Sequence, residues 1–125
     1  MSLVVQKYGG TSVGTAARLN EVAGHIAQTA RAGHSVVAVV SAMGDQTDEL
    51  LSLAKSLNPS PPQRELDMLL SVGERITMSL LSIALHHKGL DALSLTGSQS
   101  GVLTDEVHGN ARIVKILGDR VRRGL

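Results

Sequence analysis

An α/β fold built around a parallel sheet is what this sequence predicts, and three observations predict it. Two short valine-rich runs, Leu3 to Val5 and Val36 to Val40, lack polar alternation, which is how strands covered on both faces read. Between them Leu19, Val22, Ala23, Ile26, Ala27 and Ala30 recur at spacings of three and four, the stripe of an amphipathic helix. With 42% apolar and 18% charged residues, the 125-residue chain has the composition of a folded globular protein rather than a disordered one.

Strand, helix and strand within the first forty residues make a βαβ unit, whose crossover is expected to be right-handed. Thr15 stands ahead of the helix as an N-cap and Gly33 follows it as a stop. After the second strand, a polar turn leads into a second helix, with Thr47 as its expected N-cap and Leu50, Leu51, Ala54 and Leu57 as its buried stripe. Pro59, Pro61 and Pro62 then form a short stiff loop.

A long helix is expected from Gln63 to about Lys88, ended by Gly89, with Leu66, Leu69, Leu70, Ile76, Leu80, Ile83 and Ala84 on one face. Met78 and Leu81 lie off that stripe, so the helix reads either as central to the fold or as packed against a partner as well as the sheet. The segment "DALSLTG" reads as a third strand, and "GVLTDEVHGNARIVKI" as two extended segments about a Gly109-Asn110 turn. The last stretch, "IVKILGDRVRRGL", resumes helical spacing and stops without a cap, so the chain is expected to be the front part of an α/β domain.

Composition removes several function classes. The net charge of +1 comes from scattered lysines and arginines, apart from Arg120, Arg122 and Arg123, and Tyr8 is the only aromatic among Phe, Trp and Tyr. No basic surface or stacking platform for nucleic acid is announced. The absence of cysteine rules out disulfides and thiolate metal sites, and the adjacent His86 and His87 point about 100° apart on a helix. No metal site is expected. No apolar run approaches membrane-spanning length and no signal-peptide succession opens the chain, so no membrane partner is expected and a cytoplasmic location is the default.

The chemistry concentrates at three places. Lys7-Tyr8-Gly9-Gly10-Thr11-Ser12 lies between a strand and a helix, where open α/β sheets bind ligands. Glycines there let backbone amides approach phosphate oxygens, and a lysine can neutralise a phosphoryl group in transfer. Both common phosphate loops fail on counting: the P-loop needs Lys after its glycines, the dinucleotide fingerprint needs a third glycine, and here Lys comes first and Thr11 takes the third place.

Ser41 to Thr47 forms a second junction of the same character, expected on the same sheet edge. Its Thr47 is either a plain cap or a ligand for a small carboxylate. Glu74, next to Gly73 and with Leu70 and Met78 as its helical neighbours, sits on an apolar patch and needs a partner. It reads as a salt-bridged or water-reaching residue, or, if Gly73 marks close approach of a ligand, as the holder of a substrate ammonium group.

The stretches "VVQKYGGTSVG", "VAVVSAMGDQTDELL", "LLSVGERI" and "LTGSQSGVLTDEVHGNARI", in this order, resemble the signatures of the aspartokinases, members of the amino-acid kinase fold. The resemblance implies a three-layer αβα sandwich with a mainly parallel sheet. Residues 1–125 would be the N-terminal part of a catalytic domain whose second half and regulatory ACT domains nothing here matches.

For the site it implies that Lys7, Tyr8, Gly9, Gly10, Thr11, Ser12 and Ser41 line ATP, with Lys7 catalytic, and that Ser41, Thr47 and Glu74 bind L-aspartate. It further implies Mg-ATP as phosphoryl donor and 4-phosphoaspartate as product, at the head of lysine, threonine and methionine biosynthesis. A homo-oligomer is implied too, and the chain alone is expected to have little activity. Two other readings stand beside it: a non-catalytic pairing module built on the long helix, and another phosphotransferase of the same fold.

Overall fold

In the computed structural model, which describes residues 1–125, the elements run β1 (Leu3–Tyr8), a one-turn 3-10 helix (Gly10–Val13), α1 (Ala16–Arg31), β2 (Ser35–Val40) and α2 (Gln46–Leu57). They continue with α3 (Gln63–His87), β3 (Val102–Thr104), β4 (Ile113–Ile116) and α4 (Asp119–Gly124). The chain divides into two units, one of Met1–Thr47 with Gly73–Ser94 and the other of Asp48–Val72 with Leu95–Leu125.

The first unit is the βαβ unit plus most of α3. β1 and β2 pair in parallel from Leu3↔Ser35 to Tyr8↔Val40, so both strands end at the same edge. Thr15 caps α1 as its side-chain oxygen accepts from the Arg18 N–H at 3.2 Å, and Gly33, at φ +95°, turns the chain out of the helix. Val13, Leu19, Val22, Ala23 and Ile26 form the core with Leu81 and Leu85 of α3, and Tyr8, Val36, Ala38 and Val40 pack against it. At the far end, the Arg31 guanidinium donates to the Lys88 carbonyl at 2.6 Å.

Helical cover therefore lies on one face of this two-stranded sheet. β1 alternates in burial, with Leu3 and Val5 59% and 63% exposed, and Val39 of β2 is 46% exposed. The expectation of strands covered on both faces is corrected here. Continuous valine runs meet the requirement for a doubly covered strand, but the covering layer has to come from other residues, and α1 and α3 of this unit pack on one face only.

α3 also corrects the sequence reading. Its buried residues are Gly73, Thr77, Leu81 and Leu85, four apart, whereas Ile76, Leu80 and Ile83 of the expected stripe are 36%, 41% and 65% exposed. Two apolar faces exist, and the one with smaller residues is the one inside, because Gly73 and Thr77 let the helix approach closely. The buried Thr77 hydroxyl is satisfied within the helix, donating to the Gly73 carbonyl at 3.2 Å. α3 is long and apolar enough to cross a membrane, yet its Leu81 and Leu85 belong to the core of this unit.

Asp91 to Gly97 forms no strand. The β1–β2 sheet has two strands, and Ala92 packs against the core without joining the ladder. Apolar composition favours extended chain, but a strand exists only where a partner completes its hydrogen bonds.

In the second unit β3 and β4 pair antiparallel from Val102↔Ile116 through Leu103↔Lys115, with an irregularity before Thr104↔Ile113, so the two expected extended segments are found. The Asp67 carboxylate of α3 accepts from the Gly109 N–H at 2.9 Å, from His108 Nδ1 at 3.2 Å and from Gln63 Nε2 at 3.4 Å. The Gly109 amide first, then Gln63 and His108, hold its pKa below the usual carboxylate value. Within α2 no residue is fully buried and Leu57 is 85% exposed, so only Leu50, Leu51 and Ala54 of its expected stripe are half-covered.

Candidate active site

Parallel pairing brings the two loops that follow β1 and β2 to one edge, and backbone contacts lock them together there. The Gly44 N–H donates to the Gly10 carbonyl at 3.0 Å. A Cβ on Gly10 would stand 3.0 Å from the Ala42 carbonyl oxygen, and one on Gly14 would stand 3.4 Å from the Gly10 carbonyl oxygen. Gly44 itself has φ +52°, where L side chains are strained. The glycines of both loops are thus used for mutual approach. Gly9 alone is different: a Cβ there would meet nothing within 4 Å.

α3 reaches the same edge. A Cβ on Gly73 would lie 2.8 Å from the Ala42 Cβ and 3.4 Å from Gln46 Oε1. The close approach that Gly73 permits is therefore to the second loop rather than to a ligand. The next residue, Glu74, follows directly on this contact and is exposed.

Of the nine residues singled out from sequence, Lys7, Gly9, Thr11, Thr47 and Glu74 are exposed, and Tyr8, Gly10, Ser12 and Ser41 are half-buried. Lys7 pairs in register with Val39 on the face away from the core. Tyr8, one residue on, turns to the core side, where its hydroxyl donates to Gln6 Oε1 at 2.9 Å and its ring meets His25 edge-on at 6.4 Å. Burial pushes the Tyr8 phenol pKa up. What Tyr8 can offer a ligand at the Lys7 side is its backbone.

Thr47 is not the N-cap of α2. The helix begins at Gln46, so Thr47 lies inside the first turn with an exposed side chain. Glu74 forms neither of the chain's two ion pairs, which join Arg64 to Glu65 and His108 to Asp67. It reaches water instead. The exposed Lys7, the hydroxyls and the glycine backbone where β1 and β2 end are of the kind that suit an anionic phosphate.

A shallow concavity of this unit takes in only Tyr8 and Ser12 of the nine residues. This cavity, of about 240 Å³, is lined by Tyr8, Ser12, Arg18, Glu21, Val22 and His25, and it includes none of Lys7, Ser41, Thr47 or Glu74. The candidate site is an open edge. Sequence reasoning missed Ala42, Gly44 and Gln46, which share the small-and-polar makeup of the second loop but reveal their roles only through contacts distant in sequence. No group of three or more His, Asp or Glu side chains is arranged to hold a metal ion, so these residues do not by themselves form a magnesium cage.

The amino acid kinase family model matches residues 2–123. The chain is 58% identical over all its 125 residues to the aspartokinase of Corynebacterium glutamicum and 52% identical to that of Geobacillus stearothermophilus, spanning 30% and 31% of those proteins. The crystal structure of aspartate kinase from Synechocystis superposes with a TM-score of 0.83 at 48% identity, over 98% of this chain and 20% of that one. The chain thus spans about a third of the length of the curated relatives it matches.

Proposed function

Because the chain belongs to the amino acid kinase family, we propose that its open edge is the phosphate and amino-acid end of an aspartate kinase site. The observation that carries this reading is the convergence of both strand-end loops and of Gly73, the residue before Glu74, through the Gly44-to-Gly10 hydrogen bond and the Gly73–Ala42 contact. The similarity to proteins named aspartokinase supports L-aspartate as the substrate.

In this reading residues 1–125 are the N-terminal part of the catalytic domain, and ATP is the phosphoryl donor. The open backbone at Gly9, with Gly10, Thr11 and Ser12, takes the nucleotide's phosphates, and Lys7 stabilises the charge that spreads over the γ-phosphoryl oxygens. Glu74 accepts from the aspartate ammonium group, while Ser41 and Thr47 orient its carboxylates.

The side-chain carboxylate is ionised at neutral pH and needs no general base. Its oxygen forms the bond to the γ-phosphorus as the bond to the bridging oxygen breaks, giving 4-phosphoaspartate and ADP. Positioning and charge neutralisation supply the catalysis. Magnesium would arrive with the nucleotide and neutralise phosphate charge. The product's place in amino-acid biosynthesis and a cytoplasmic setting follow from the same reading.

The test is aspartate-dependent ADP release by the chain alone and by a chimera in which residues 1–125 replace the matching segment of the Corynebacterium glutamicum relative. The chimera is expected to turn over and the chain alone to be silent. Lys7→Ala in the chimera is expected to lower kcat by ~10²–10³, the cost of removing one transition-state charge partner. Undiminished turnover in Lys7→Ala would overturn the assignment.

A second, compatible reading is self-association through the outer face of α3, favoured by the exposure of Ile76, Leu80 and Ile83. Light scattering tests it, with Leu80→Glu expected to reduce the mass from dimer to monomer. A monomer in both samples removes it.

A further inference from the structure

The first residue of α2 holds a polar atom that nothing satisfies. Gln46 Oε1 is shut off from solvent and has no hydrogen-bond partner. It lies against Gly73, 3.4 Å from where a Cβ of that residue would stand. The Gln46 backbone is fixed, its N–H donating to the Met43 carbonyl at 3.0 Å, so the carboxamide moves only about its own side-chain torsions.

A buried acceptor without a donor costs stability, and folded proteins keep few of them. An apolar side chain of similar length would fill the same groove at no such cost. The position of the orphan is informative, because it lies at the contact between Ala42 and Gly73, the residue that precedes Glu74.

We propose that Gln46 is an additional substrate-contacting residue. Its carboxamide oxygen turns from Gly73 to accept one N–H of the amino-acid ammonium group whose charge Glu74 balances. This rests on the reading of the edge as an amino-acid site. An ammonium group carries three donors and no acceptor, so a carboxylate and a neutral carbonyl side by side match it. A hydroxyl in its place offers one donor and no charge. Gln46 is thereby a specificity determinant that separates an α-amino acid from the corresponding hydroxy acid.

The experiment uses the chimera described above with L-aspartate and L-malate as probes, measuring calorimetric affinity and melting temperature for wild type, Gln46→Met and Glu74→Gln. Gln46→Met is expected to bind aspartate about tenfold more weakly, roughly the worth of one hydrogen bond to a charged group. Its melting temperature is expected to stay level or rise, since the orphaned atom is gone. A purely structural glutamine would lose stability instead.

In nitrogen–proton spectra of the wild type, the Gln46 carboxamide signals are expected to shift with aspartate and to stay in place with malate. These signals decide the matter if Gln46→Met melts early, and unmoved signals overturn the role of Gln46. Full aspartate affinity in Gln46→Met with weakened affinity in Glu74→Gln removes Gln46 and leaves the site reading standing. Equal affinity in all three, or no binding by the wild type, overturns both.

Discussion

Tyr8 is the chain's single tyrosine and there is no tryptophan, so its ionisation can be followed alone in the near ultraviolet. Burial raises its pKa above the ordinary 10.0. A raised pKa on an acid means that the stabilisation is fully present below the unfolded value and is lost as pH rises through the folded one. The phenolate signal is therefore expected to appear above pH 10 in the native chain and near the ordinary value in denaturant, and coincident titrations would contradict the buried placement. Gly73 gives a second prediction at this scale. Gly73→Ala places a methyl 2.8 Å from the Ala42 Cβ, and such overpacking costs ~1–3 kcal/mol. Chemical denaturation should show the loss, and adding Ala42→Gly should recover much of it, since the two residues touch. A glycine between Val72 and Glu74 is visible in the sequence, but what it touches is not, because Ala42 is thirty-one positions away.

Among the elements, α3 shows where hydrophobic periodicity stops being informative. Residues 63–87 carry apolar side chains on two sides, so the length and ends of the helix were legible while its inner face was not. Packing selects the Gly73, Thr77, Leu81, Leu85 line because its small members admit the second loop, a criterion that average hydrophobicity does not express. Leu81→Ala is expected to cost 2–5 kcal/mol and Ile83→Ala to fall within about 0.5 kcal/mol of zero, read by urea denaturation. The reverse order would restore the face expected from sequence. In the β3–β4 hairpin, Asp67 joins α3 to Gly109 and His108, and its lowered pKa means that this anchorage is present above the ordinary value of 3.8 and fades as pH falls through the lower folded value. Asp67→Asn should speed exchange of the Gly109 amide at neutral pH, and an unchanged rate would show that the carboxylate does not hold the tip.

For the whole molecule, the class α/β and the parallel β1–β2 pairing were legible because strand, helix and strand are contiguous and capped by Thr15 and Gly33. A third strand was not, since Asp91 to Gly97 depends on a pairing partner that local composition cannot supply. The two strand-end loops on one edge were legible, while the approach of α3 to them was not, because it depends on the contact of Gly73 with Ala42. The uncovered sheet face bearing Leu3, Val5 and Val39 has a solution counterpart. The native chain is expected to bind a hydrophobic dye, and Val5→Lys to weaken that signal without lowering the melting temperature by more than a degree or two, because an exposed position contributes little to packing. A dye signal that Val5→Lys leaves intact would place the apolar surface elsewhere, with the outer face of α3 as the next place to substitute.

The neighbouring glycines of the first loop have different prospects under mutation. Every missense change of a glycine codon adds a Cβ; at Gly10 that atom meets the Ala42 carbonyl oxygen at 3.0 Å, and at Gly9, with φ −75° and ψ 172°, it meets nothing within 4 Å. In a library of variants sorted for folding alone, position 10 should be depleted and position 9 should drift freely. If the same library selected for growth in a complete kinase shows position 9 purged as well, the difference between the two selections is a genetic footprint of the ligand.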